Sequence, residues 1–216
     1  GTIVRGTPGT GANASALIIT RGAQIFANGS ADQPIVFTAL NDDLSDPEDL
    51  KQDDRGLWGG LVILGNAWIN GDIRYDRMEG MPEDDLRGLY GGTNDEDNSG
   101  VLSYVSIRHC GAEMAPAYEM NGLTLAAVGN GTEIHHVEVI AATDDGIEFF
   151  GGTVDCKYLV SAFCGDDSFD WDQGYRGRGQ YWFTIMSAER GNTAFECDGG
   201  RAPDDAEPFA IPVLSN

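Results

Sequence analysis

The sequence lacks any apolar run approaching the ~18 residues of a membrane-spanning helix, and it shows no helical periodicity over any long window. Basic residues are scarce: 13 Lys and Arg stand against 35 Asp and Glu, for a formal charge of −22. Nucleic acid and anionic membrane surfaces both require a basic footprint, so neither is expected as a partner. Divalent cations, cationic partners or a saline exterior are favoured instead. The four cysteines, Cys110, Cys156, Cys164 and Cys197, have neither CxxC spacing nor the density of a disulfide scaffold. There is no Gly-x-Ser-x-Gly elbow. Gly6 to Gly11 is glycine-rich, but no Lys-Ser/Thr and no helix follow it, so it is a loop and not a phosphate cradle. His109, His135 and His136 lack a third ligand at zinc spacing.

What the chain has is repetition. Asp145-Gly146-Ile147-Glu148-Phe149 returns 22 residues later as Asp167-Ser168-Phe169-Asp170-Trp171, and 26 further on as Thr193-Ala194-Phe195-Glu196-Cys197. A fainter copy, Asn121-Gly122-Leu123-Thr124-Leu125, lies 24 residues upstream. Each copy alternates apolar, polar, apolar, the period of a strand with one buried face. Strands recurring at this interval with no helix between them predict a β-solenoid. Thirty glycines supply the turns.

Stacked coils bring equivalent positions within roughly 4.8 Å of each other. Thr124, Glu148, Asp170 and Glu196 then form one outward column, and three of its four members are carboxylates. Like charges so close raise one another's pKa unless a cation, a basic group or water relieves them. Two readings stand: carboxylates that point into water and tolerate the repulsion, or a strip that binds cations or substrate.

Earlier strands are expected at Thr2 to Arg5, Ala16 to Thr20 and Ile35 to Thr38, with Ala27-Asn28-Gly29-Ser30 as a turn. Residues 41–55 and 71–98 read as insertions, the first strongly acidic, and the nearly continuous apolar run 56–67 returns to the core. Insertions of this kind gather on one face and carry specific function. From Gly100 onward a second strand column is expected at Leu102 to Ile107, His136 to Val139, Lys157 to Val160 and Gln180 to Ile185. One domain, residues 1–216, is expected, and the strands at both ends read as cut in mid-solenoid. The full protein is therefore expected to extend further, or its open ends to dock on neighbours in a head-to-tail filament. Cys110 and Cys164 fall in one column two coils apart, about 9 to 10 Å by strand spacing, too far for a bond. Buried thiols are expected, and pairing of Cys156 with Cys197 stays open.

Three constellations could carry chemistry. Asp95, Asp97 and Ser99, followed by the turn at Gly100 and the Val101 carbonyl, match the first half of an EF-hand-type calcium loop. Ser106 stands where its bidentate Glu belongs, so the loop reads either as a calcium site completed from elsewhere or as an Asx-rich turn. Asp144-Asp145 and Asp166-Asp167 lie one coil apart beside the Glu148, Asp170 and Glu196 column. Clustered hard oxygens suit calcium, stacked carboxylates serve glycan cleavage, and aspartates at strand entries also cap turns. Arg176, near Asp170 and Asp172, offers a cation of the kind used in abstracting a proton beside a uronate, or simply compensates local acidity.

Several of these motifs are familiar together. Ala16 to Ala23, Pro34 to Thr38, Gly56-Leu57-Trp58-Gly59-Gly60, Asp144 to Gly152 and Phe163 to Asp170 resemble a family of secreted bacterial right-handed parallel β-helix proteins. That family is common in Bacteroidetes and other marine Gram-negatives, and some members carry a C-terminal secretion domain. The resemblance implies the fold and an extracellular or cell-surface location, but no particular reaction. The expectation is a non-catalytic, calcium-stabilised surface, adhesive or assembly component whose carboxylates bind cations, and through them glycans or other surface proteins. The alternative is a calcium-dependent polysaccharide lyase or hydrolase using Asp166, Asp167, Asp170 and Arg176.

Overall fold

The computed structural model describes residues 1–82, 84–116, 118–201, 203 and 205–216. Its backbone winds as a right-handed parallel β-helix, the hand that parallel crossovers take. One wall is a sheet of β2 (Leu17–Ile19), β5 (Leu61–Leu64), β11 (Leu123–Ala126), β13 (Ile147–Phe150), β15 (Phe169–Asp172) and β17 (Phe195–Cys197), stacked in that order. The other carries β1 (Ile3–Gly6), β4 (Ile35–Ala39), β8 (Gly100–Arg108), β12 (Glu133–Ile140), β14 (Cys156–Ala162), β16 (Arg178–Ile185) and β18 (Val213–Ser215). Within each of these sheets all pairing is parallel, and β3 (Ile25–Asn28) adds alongside β4 on the edge of β8.

Both strand columns read from the repeats are present, with the same residues opposite one another. Leu123, Ile147 and Phe169 are in register, as are Leu125, Phe149 and Trp171. These side chains fill the interior together with Leu102, Val105, Ile107, Ile134, Val137, Val139 and Leu159 from the opposite wall. Toward the C-terminal coils the interior turns aromatic. Phe149 stacks on Tyr175 at 4.4 Å and on Trp182 at 5.4 Å. Such pairs add about 0.5–1.5 kcal/mol beyond the area they bury.

Each long strand of the second wall bends at one left-handed residue: Tyr104, His136, Tyr158 and Tyr181, with φ between 49° and 59°. Non-glycine residues meet a steric cost there of roughly 1–2 kcal/mol. The four rings stack in a column at 4.3, 4.4 and 5.0 Å, which offsets part of that cost. No glycine or asparagine announces these bends in the sequence.

Some boundaries differ from the sequence reading. Ala27 and Asn28 belong to β3, and the turn begins after them. The apolar run 56–67 yields a strand only at Leu61–Leu64, and Gly59 and Gly60 pass too close to Met120 and Asn121 to carry a side chain. The second insertion carries a short antiparallel ladder: β6 (Asp76–Arg77) pairs with β7 (Leu89–Tyr90). A further hairpin, β9 (Glu113–Ala115) with β10 (Tyr118–Glu119), was not expected at all. All four cysteines are free thiols; Cys110, Cys156 and Cys164 are buried and Cys197 is exposed.

Phe149→Ala, by removing a fully buried ring, is expected to cost about 3–5 kcal/mol, read as a lowered urea midpoint with unchanged slope.

Candidate functional site

The column Thr124, Glu148, Asp170 and Glu196 is in register across β11, β13, β15 and β17. It faces away from the solenoid interior, yet it is not simply solvated. The β6–β7 and β9–β10 hairpins rise beside it and enclose a cavity of about 280 Å³. Thr124, Glu148 and Glu196 form the floor; Asp76, Met78, Tyr90, Met114 and Tyr118 are among the walls. Eight of the described lining residues are acidic: Asp76, Glu79, Glu119, Asp144, Asp145, Glu148, Asp166 and Glu196. Among the described residues no lysine or arginine lines it.

The turns that deliver these acids are tied from coil to coil. Asn121 Oδ1 accepts from the Asp145 N–H at 3.2 Å, and Asp145 Oδ1 accepts from the Asp167 N–H at 2.9 Å. Asp167 Oδ1 in turn accepts from the Thr193 N–H and, at 2.8 Å, from its hydroxyl. The first residue of each repeat is thus a rung of a side-chain ladder. Gly146 follows Asp145 because a Cβ there would lie 2.1 Å from Ser161 Oγ. Capping explains one oxygen of Asp145 and leaves the other free.

Two carboxylate triads result, each with its ligand oxygens within 4.8 Å of one another: Asp144, Asp145 and Asp166 at the rim, and Asp145, Glu148 and Asp170 below it. Asn121 Nδ2 donates to Glu148. Asp170 is only 8% exposed, and its Oδ1 is buried with no hydrogen-bond partner.

A family model for a pectate-lyase-like β-helix domain matches residues 1–216. The chain belongs to that family. No curated protein and no solved structure matched it.

The other candidates in this pectate-lyase-like β-helix lie away from the chamber. In the 94–100 loop the oxygens do not converge. Both Asp95 oxygens accept from Arg176 at 3.0 Å. Asp97 accepts from Asn66 Nδ2 and from the Ser99 hydroxyl, each at 2.9 Å. Val101 is an ordinary ladder residue of β8, between Phe26 and Glu133. A guanidinium therefore stands where the loop pattern placed a cation. The same pairing draws Arg176 away from Asp166, Asp167 and Asp170. Arg201 pairs with Asp76, one of the chamber's walls. The sequence reading missed Asp76, Glu79 and Glu119, which arrive on the hairpins. It also missed the ladder role of Asn121, although Asn121 opens the faint repeat copy.

Electrostatics in the chamber follow from burial and crowding. Burial, then Asp166, raises Asp144 to about 6. Burial, then Asp144, raises Asp145 to about 8, against the lowering effect of the Asp167 N–H. Glu148 is pushed well above the usual carboxylate range by burial, then by Asp145 and Asp170. Burial brings Asp170 to about 6, while its hydrogen bond with Glu148 pulls the other way. Of this close carboxyl pair Glu148 is the more strongly raised. Hydrogen bonding with Asp167, then burial, raises Glu196 to about 7.

A carboxylate raised on folding stabilises the fold below its unfolded pKa and loses that contribution as pH climbs through its folded value. In chelator, the urea midpoint is therefore expected to fall between about pH 5 and pH 8. Asp145→Asn keeps the ladder acceptor without the charge and should flatten that fall. Asp145→Ala loses the rung and should cost about 1–3 kcal/mol.

Proposed function

We propose that this protein is an extracellular, calcium-stabilised β-helix of the secreted bacterial kind, acting at a cell surface as an adhesive or assembly component that binds cations and, through them, glycans. The observation that carries the reading is the unpartnered, buried Oδ1 of Asp170 within a triad of carboxylates. Calcium takes oxygen ligands at ~2.3–2.6 Å, so two oxygens on opposite sides of one ion stand about 4.8 Å apart. The Asp145, Glu148 and Asp170 oxygens lie within that limit. An ion there would favour the ionised form of all three and remove the cost of their raised pKa values. Weak extracellular calcium sites, with Kd about 10⁻⁴–10⁻³ M, suit such a partly open cluster.

A second reading, glycan cleavage, draws on family membership and on the mixed protonation of the chamber. Asp145 near 8 beside Asp144 and Asp170 near 6 supplies neutral and ionised carboxyls side by side, as acid–base hydrolysis requires. With Arg176 committed to Asp95, a lyase step finds no guanidinium among the described lining residues, so hydrolysis is the better-supported form.

At free calcium about a hundred times Kd, binding adds roughly 2.7 kcal/mol, or about 5–10 °C in Tm for a chain of this size. Asp170→Asn should lose most of that shift. An EDTA-treated sample melting together with a calcium-loaded one would defeat the cation reading. New reducing ends released from a polysaccharide panel would favour the hydrolase.

A further inference from the structure

Adjacent side chains of a strand point to opposite faces, so neighbours in sequence do not ordinarily share a ligand. The left-handed bend of the second wall suspends that rule. His136, at φ 52°, drops out of the ladder that pairs His135 with Ser103 and Lys157, and Val137 with Val105 and Leu159. Its ring is thereby brought against that of His135, and the two Nδ1 atoms stand 2.8 Å apart. The bend itself needs no histidine. The other three coils make it with Tyr104, Tyr158 and Tyr181, and Tyr158 stacks on Tyr181 without one. Of the four bends, only this one sets two imidazoles face to edge, at 88°.

The positions of the protons follow from the partners. Neither two N–H groups nor two bare nitrogens meet head to head at 2.8 Å, so a single proton lies between the Nδ1 atoms. Nε2 of His135 stands 3.1 Å from Glu133 Oε1, and because an ionised carboxylate only accepts, that nitrogen carries an N–H of its own. A carboxylate on the far nitrogen is the outer support that metal-bound histidines use to fix tautomer and ring orientation. The His136 ring is clamped from both sides, by Tyr104 at 4.3 Å and Tyr158 at 4.4 Å.

The spacing selects the metal. With metal–nitrogen bonds of about 2.0–2.1 Å, two nitrogens at the tetrahedral angle stand roughly 3.3–3.4 Å apart, and two at a right angle about 2.9 Å. The observed 2.8 Å fits the right angle, which belongs to the tetragonal ions copper(II) and nickel(II) and not to tetrahedral zinc; of these copper binds nitrogen the more tightly. We propose that His135 and His136 form a copper(II) site on the second wall, independent of the acidic chamber. The two Nδ1 atoms take adjacent corners of the ion and water takes the rest, since both rings are half-buried and border a hollow shared with Glu133, Asp155 and Lys157. The proton between the rings leaves as the ion enters. With both rings neutral it is taken up at Nε2 of His136, so each imidazole stays an uncharged ligand. Glu133 and the formal charge of −22 favour a cation there against the single charge of Lys157.

Chelator-treated protein, with calcium in excess to occupy the chamber carboxylates, would be titrated with copper(II) and read by electron paramagnetic resonance. One copper per chain, with hyperfine coupling to two nitrogens, is expected. H136Y introduces the side chain that the other three bends carry and keeps the stack; it should weaken copper binding at least about tenfold while the far-UV circular dichroism stays that of the parent. H135Q, which leaves the four-ring column untouched, should do the same. E133A is expected to cost about tenfold through the lost outer support, and zinc to bind more weakly than copper. A spectrum of oxygen ligands alone, or copper binding undiminished in H136Y and H135Q, would overturn the site. Undiminished binding in E133A would overturn the role of Glu133, and zinc binding as tightly as copper would overturn the right-angle geometry.

Discussion

Parallel hydrogen bonding between successive coils holds equivalent residues about 4.8 Å apart, and the character of the acidic chamber follows from that spacing. Glu148, Asp170 and Glu196 are far apart in the chain, yet they are neighbours because their backbones pair. The side chains of Asn121, Asp145 and Asp167 strengthen the same pairing, each accepting an N–H from the next coil. The ladder that holds the coils together is therefore also what crowds the carboxylates. Their mutual repulsion is a cost of the architecture, which protonation relieves in the metal-free protein.

Enclosure turns that crowding into a site. An open column of acids would be solvated by water and screened by salt within about 10 Å at ordinary ionic strength. The two hairpins exclude much of that water, so the pKa values of Asp144, Asp145 and Asp170 rise to between about 6 and 8. The sheet that carries the column also carries Phe149 and Trp171 on its inner face, so packing fixes the floor from below.

Legibility in the sequence followed the same division. The column and the strands of both sheets apart from β3 could be read from alternation and repeat length, because period-two patterning at a fixed interval has few other solutions. The walls could not. β6, β7, β9 and β10 are two or three residues long, too short for any pattern, and they are set by contacts with the coils. The calcium-loop motif at 94–100 matched locally, but Arg176, 81 residues away, takes up the Asp95 carboxylate. The bends at Tyr104, His136, Tyr158 and Tyr181 were silent because aromatic stacking, and not a turn residue, supports them.

The floor behaves as a comb of fixed pitch. Its teeth can change from acid to amide or hydroxyl, but their separation belongs to the backbone and no point mutation alters it. The hairpins are under no such rule, since they leave the coil and return to it without taking part in its register. Descendants of this scaffold would therefore change ligands by exchanging what overhangs the comb, while the comb itself passes on unaltered.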